Sequence, residues 1–228
     1  MIGHRADDPS AGTLLLTRRD VAELLAIDAC IDVVERAFRE LGEGRAAPPG
    51  VLGVHVEGGG FHVKTAALAL GRLYFAAKVN ANFPGNRERF GLPTIQGVIA
   101  LFDAACGRLL ALLDSIELTA LRTAAATAVA SKYLARPDAA VVTVCGWGAR
   151  GRAQLRALTR VRPVRLVLAV DADARRAEAY AREMSGEMGI DVRAAEDLAG
   201  AALQDVPAAG VVYERAVAEG RGRRLALA

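Results

Sequence analysis

Cysteine and histidine are scarce in this chain, with three of each among 228 residues. Cys30, Cys106 and Cys145 are scattered through apolar surroundings without a CxxC or Cys/His spacing. That excludes a disulfide framework and a zinc knuckle, and reads as small core residues in a reducing compartment. His4, His55 and His62 are too few for a metal cluster, so no metal is expected. Charge of one sign is also lacking. The net charge is only +3, aromatics make up 5%, and no dense basic run is interleaved with them, which argues against nucleic acid as a partner. Arg221, Arg223 and Arg224 near the end read as a solvated tail. No apolar run approaches membrane-spanning length, and the opening "MIGHRADDPSAG" has no apolar signal core. The expectation is a soluble, cytoplasmic protein with no membrane partner. What the chain has in quantity is apolar residues, 53% of it, enough for one large or two modest domains.

Along the chain, "TLLLT" reads as a short strand, and "TRRDVAELLAIDACIDVVERAFRELGEG" has helical apolar spacing broken near Ile27 and Asp28. Short β-like runs follow "AAPPG", namely "LGVHVEGGG", "FHVKTAALAL" and "LYFAAKVNANF". "TIQGVIALFDAACGRLLALLD" reads as a hairpin turning at "DAACG". "SIELTALRTAAATAVASKYLAR" is an alanine-rich helix, capped near Ser115 and stopped by Arg136-Pro137. Residues 1–137 therefore form an α+β domain. After Pro137, apolar strands and amphipathic helices alternate, "AAVVTVCG", "ARGRAQLRALTRV", "VRLVLAVD", "ADARRAEAYAREMSGEMG" and "IDVRAA", which is the pattern of a parallel sheet.

"GWGARG" is a GxGxxG between the first of these strands and its helix. Alone it is a weak signal; the strand before it, the helix after it and Asp171 about 20 residues on at the end of the next strand strengthen it. Gly146 permits the tight turn, Gly148 lets backbone approach a pyrophosphate, and Gly151 lets the helix pack on the strand. The helix N-terminus offers N–H groups to the phosphates, and Asp171 accepts from a ribose diol. That acid favours NAD over NADP, although Arg150, Arg175 and Arg176 are close enough in sequence to blur the choice. The competing reading is an ordinary βα turn.

Upstream, Thr119, Arg122 and Thr123 share one face of the alanine-rich helix, an anion trap if the arginine lies beside the helix N-terminus. Lys78 and Lys64 lie in strands, where a lysine either snorkels to solvent or is held toward a pocket. Taken singly, each is better explained as a solvated or paired charge.

Taken together, "KVNANFPGN", "GLPTIQGVIALFD", "LALLDSIELTALRTAAATAVASKYLARPDAAVVTVCGWGARG" closely resemble the ornithine cyclodeaminase/mu-crystallin family, nearly continuously from about Phe61 to Asp197. The resemblance implies a homodimer whose subunits join an α+β substrate-binding and dimerisation domain to a Rossmann-like domain. It implies an NAD cofactor, with NADP as the alternative, and a small amino or cyclic imino acid as substrate. Ornithine would be converted to proline with loss of ammonia, or a pyrroline-2-carboxylate-type imine would be reduced. By motif, Lys78 and Arg122 hold the substrate carboxylate; Thr94, Arg122 and Thr123 lie toward the cofactor. Ala149 and Arg150, with Gly146, Gly148 and Gly151, meet its pyrophosphate and Asp171 its ribose. A family arginine expected after the "PP" pair is absent, Gly50 and Val51 standing near that place, and Lys64 is the candidate to replace it.

The chain departs from the family after "IDVRAA". Roughly one hundred residues look to be missing between Asp197 and Leu203, judged against usual domain sizes. On this reading, residues 1–137 together with 203–228 form the substrate domain and 138–202 an incomplete Rossmann-like domain. The family's acid–base aspartate falls in the missing part, so no catalytic residue is assigned. The alternative function is an inactive, truncated member that at most binds nucleotide or a small carboxylate.

Overall fold

The computed structural model describes residues 12–46 and 48–195. His4, the basic residues at 221–224, the Asp197–Leu203 junction and the segment 203–228 lie outside the described residues. The chain divides into two compact units. Described residues 12–139 and 149–163 form the first, and 140–148 with 164–195 the second.

The first unit opens with strand β1 (Leu14–Leu16), helix α1 (Arg18–Leu24) and helix α2 (Ile27–Gly42). Thr17 starts α1 with a capping box: its hydroxyl accepts from the Asp20 N–H and the Asp20 carboxylate accepts from the Thr17 N–H. Then come β2 (Gly50–Val56), β3 (Gly59–Ala69), β4 (Leu73–Asn82), the short helix α3 (Asn86–Phe90), β5 (Ile95–Asp103) and β6 (Leu109–Asp114). These strands form one six-stranded sheet in the order β1-β6-β5-β4-β3-β2. From β2 to β6 each strand pairs antiparallel with the next in sequence, and β1 runs parallel to its partner β6.

Helix α4 (Ser115–Leu134) lies on one face of this sheet. Its cap lies beside Ser115, as expected. Asp114 is the cap, its carboxylate accepting from the N–H groups of Ile116 and Glu117. Ser115 is buried and donates instead to Asn80 Oδ1 at 2.7 Å. A carboxylate outcompetes a hydroxyl for two helix-end N–H groups because it is charged and has two oxygens.

Alanines determine what packs on α4. Ala124, Ala125 and Ala128 are fully buried, and they meet Cys30 and Ile31 of α2 and Ala153 and Ala157 of α5 (Ala149–Val161). Small side chains let helix axes approach near the lower end of the usual 8–10 Å spacing. Arg162 secures the end of α5 by donating to the carbonyls of Ser131 and Ala135. Of the cysteines, only Cys30 is a core residue. Cys106 sits in the β5–β6 turn and Cys145 at the end of a strand, both exposed, because each falls on a turn or an outward strand position.

The second unit is a three-stranded parallel sheet, β7 (Val141–Cys145), β8 (Leu166–Val170) and β9 (Asp191–Ala194), in that order, with helix α6 (Ala174–Met188) between β8 and β9. Its buried residues include Val167, Ala169, Tyr180, Met184 and Val192. The fold is thus α/β, with an α+β first unit and a parallel βαβ-type second one.

Candidate functional site

Strand register assembles a candidate site within the first unit. Lys64 of β3 is the direct partner of Lys78 of β4, and Lys78 in turn pairs with Ile99 of β5. Directly paired residues point to the same face. The row continues through Val51 on one side and Leu113 on the other, so the two lysines interrupt an otherwise apolar line. Two positions farther along β4, Asn80 is bonded to Ser115, which shows that this face is the one covered by α4.

Above it, Lys78 Nζ donates to Thr119 Oγ1 at 3.4 Å. Arg122 follows one turn later and is half-buried. It is not beside the helix N-terminus, which lies two turns back and is occupied by Asp114, so the anion trap there rests on side chains rather than the helix end. Thr123 donates its hydroxyl to the carbonyl of Thr119 at 2.6 Å.

The electrostatics are one-sided. Burial, and after it Arg122, Lys64 and Arg150, pulls Lys78 down to about 8. Burial and then Arg150 lower Arg122 from its ordinary value, while Cys30 acts in the opposite sense. Burial pushes the Cys30 thiol up, with Arg122 pulling it back. Among the described residues, no carboxylate forms an ion pair with Lys64, Lys78, Arg122 or Arg150. Lys64 and Arg150 are exposed, so the cost of holding like charges together falls on the half-buried Lys78 and Arg122, and a bound anion lowers it.

The second unit carries the glycine turn. Gly146 has φ +89°, in the left-handed region, and its N–H bonds to the Val170 carbonyl at 2.8 Å. The Trp147 N–H donates to Asp171 Oδ2 at 3.2 Å and the Asp173 N–H to Oδ1 at 3.1 Å. These bonds, that from Asp173 first, hold the Asp171 carboxyl below its usual value, so it is ionised at neutral pH. Each oxygen keeps a lone pair for a further donor. A Cβ placed on Gly148 meets nothing within 4 Å, so the backbone is open there, and the first turn of α5 carries no acid. Open glycine backbone, an acid-free helix start and an ionised carboxylate at the next strand end suit a dinucleotide's phosphates and ribose.

Of the residues singled out from sequence, the structure brings Lys64, Arg122 and Arg150 into electrostatic reach of Lys78, and Arg150 into reach of Arg122. Gly151 is buried and Ala149 exposed in the first turn of α5. Thr94 stands exposed just before β5, its carbonyl accepting from the Phe83 N–H at 2.8 Å. With Asn82 facing Ile95 and Lys78 facing Ile99, Thr94 lies roughly 15 Å along the strand from the lysine row. Sequence reasoning missed Thr119 as the partner of Lys78 and Trp147 as a structural part of the turn. The Trp147 ring stacks on Tyr180 at 3.6 Å between centroids. Its being the single tryptophan, placed inside GxG, was the available signal. Among the described residues, no group of three or more His, Cys, Asp or Glu is placed to hold a metal, and no helix is long and apolar enough to cross a membrane.

The parallel strands, the glycine turn and the acid at the end of β8 define a Rossmann-like α/β protein joined to an α+β unit. The chain belongs to the ornithine cyclodeaminase/mu-crystallin family, whose model matches residues 11–202. It is 33% identical over 178 residues to an L-lysine cyclodeaminase of Streptomyces rapamycinicus, covering 74% of this chain and 52% of that protein. An archaeal alanine dehydrogenase dimer with bound NAD superposes with a TM-score of 0.75 at 33% identity, over 80% of this chain and 56% of that one. The Thermococcus litoralis Delta(1)-pyrroline-2-carboxylate reductase, in complex with NADH and L-proline, gives 0.72 at 35% identity, over 82% and 58%. The chain spans about half the length of the curated relatives it matches.

Proposed function

We propose that this protein is an NAD-dependent enzyme acting at the α-carbon of a small 2-amino or 2-imino acid. The observation that carries the reading is the cluster of Lys78, Arg122 and Arg150, cations with no carboxylate ion-paired to them among the described residues. Lys78 and Arg122 bind the acid's carboxylate and orient it, with Thr119 holding the lysine in place. The glycine turn and Asp171 hold the cofactor, and Arg150 in the first turn of α5 is placed by sequence at its pyrophosphate. NAD, when bound, supplies hydride acceptance or donation; NADP is the alternative, disfavoured by the charge of Asp171. Cyclodeamination of a diamino acid and reduction of a cyclic imine are two branches of this chemistry, and both use the same carboxylate grip. Family membership and the NAD-bound and NADH-bound neighbours support the reading.

We also propose a homodimer formed through the sheet face opposite α4. Leu52, Val63, Val79 and Val98 form a row across four strands there, and Leu52, Val79 and Val98 are exposed. A substrate part up to residue 137 and a nucleotide part from 138 onward belong to the same proposal. So does truncation between Asp197 and Leu203. The inactive alternative draws no support from the relatives.

The test is titration of the purified chain with NADH, followed by fluorescence, and with pyrroline-2-carboxylate. Both bind, and Arg122→Ala weakens the acid by roughly 10- to 100-fold, the loss of a charged hydrogen-bonding partner. A folded sample that binds neither compound would overturn the proposal.

A further inference from the structure

We infer that Trp147 is a positioning residue for the choice between NADH and NADPH. Its ring, stacked on Tyr180, fixes the glycine turn against α6 and so holds the Asp171 carboxylate open to a ribose diol and closed to a 2′-phosphate. This rests on the turn being the cofactor site, as proposed above.

The turn cannot hold its shape by its glycines. Gly146 and Gly148 flank Trp147, both are exposed, and Gly146 stands at φ +89°. Glycine has the widest backbone freedom of any residue, so a turn with two of them keeps one conformation only if what lies between them is anchored. Trp147 is that anchor. It is 3% exposed between two exposed neighbours, and its ring lies on that of Tyr180, itself 1% exposed. The ring centroids are 3.6 Å apart and the planes 29° from parallel.

The anchor reaches Asp171 from two sides. On one side the Trp147 N–H donates to Oδ2 at 3.2 Å. On the other the Asp173 N–H donates to Oδ1 at 3.1 Å, and Asp173 is the N-cap of α6, the helix that carries Tyr180. Ring stack, helix, cap, carboxylate and turn thus close a loop of contacts, every member of it in the second unit. Filling the core of that unit explains a buried indole. It does not require the same residue's N–H to orient the carboxylate at the end of β8.

A carboxylate oriented through both oxygens keeps its charge in one place. Its remaining lone pairs suit the two ribose hydroxyls, whereas a 2′-phosphate meets a fixed negative charge. Arg175 and Arg176 occupy the first turn of α6, and the charge of Arg176 acts on Asp171. Once the stack is lost, the carboxylate is free to turn away and these arginines are left to receive the phosphate. Discrimination therefore depends on the stack as well as on Asp171.

The experiment is calorimetric titration of the 228-residue protein with NADH and with NADPH, alongside thermal melting, in the wild type, Trp147→Phe, Trp147→Leu, Tyr180→Leu and Val167→Ala. The wild type binds NADH roughly tenfold or more tighter than NADPH. The preference narrows partly in Trp147→Phe, which keeps a smaller stacked ring. It falls nearly to equality in Trp147→Leu and Tyr180→Leu, which remove the stack from opposite sides, chiefly because NADH weakens. Val167→Ala, a core truncation in β8 away from the stack, lowers the melting temperature and leaves the preference as in wild type. Equal wild-type affinities for the two dinucleotides overturn the inference without any variant. So does an unchanged preference in any folded Trp147 variant, however low it melts, since the tryptophan then only fills the core. A preference that collapses equally in Val167→Ala overturns it too, by tying selectivity to stability alone. Each of these outcomes leaves NADH binding at the turn intact. A folded wild type that binds neither dinucleotide removes the cofactor reading beneath it as well.

Discussion

Lys78 on β4 donates to the Thr119 hydroxyl on α4 at 3.4 Å, a bond between sheet and helix that holds an ammonium where, among the described residues, the charges acting on it are those of Arg122, Lys64 and Arg150. Burial and these neighbours bring Lys78 down to about 8 from its usual 10.5.

The first prediction concerns pH. A carboxylate binds the charged form of Lys78 best, so acid affinity holds below about pH 8 and falls above it, approaching tenfold per pH unit. Stability runs the other way. The folded state disfavours the charged lysine; that penalty is complete below about 8 and fades as pH rises toward 10.5, so this group's contribution to stability increases across that window. Lys78→Met should therefore unfold at the same or higher urea concentration than wild type at pH 7 while losing acid binding. Calorimetry and urea titrations at pH 7 and 9 check both; acid affinity flat from pH 7 to 9.5 counts against the assignment.

Gly146 and Gly148 should separate stability from binding. Gly146→Ala places a Cβ at φ +89° and should cost about 1–2 kcal/mol, seen as a lower melting temperature. Gly148→Val adds a side chain in open space, so melting changes little, yet NADH affinity drops tenfold or more if that space is the proposed pyrophosphate cradle. Unchanged NADH affinity in Gly148→Val would show that the turn is not a phosphate cradle.

Gly97 sits where β5 passes under the start of α4. An added Cβ there collides with Asn80 Oδ1 and the Val79 carbonyl and lies 2.7 Å from Ser115 Oγ. Gly97→Ala should cost about 1–3 kcal/mol and, by displacing the Asn80–Ser115 bond that seats α4, weaken carboxylate binding as well. Chemical denaturation with a midpoint equal to wild type would contradict this.

Val79→Glu puts a charge in the middle of the Leu52–Val63–Val79–Val98 row. Sedimentation velocity should give a dimer for wild type and a monomer for the variant, since burying an unpaired carboxylate in an apolar interface costs several kcal/mol. A variant that remains dimeric places the interface elsewhere.

Local pattern made most elements legible. The break at Ile27, the β5–β6 hairpin and the alternation after Pro137 are all properties of short windows, governed by side-chain period and turn residues. Asp114 rather than Ser115 as the cap was not legible, because both residues suit the position and only the place of Asn80 claims the serine.

Sequence by itself determined the family, the strand–glycine turn–helix unit and the candidacy of Lys78, Arg122 and Asp171, since these depend on residue type at fixed spacing along the chain. Tertiary structure alone decided that Lys64 faces Lys78, that Thr119 accepts the lysine's hydrogen bond and that Arg150 acts on both Lys78 and Arg122. Strand register and helix seating are set by contacts between residues far apart in the chain, so no local window contains them.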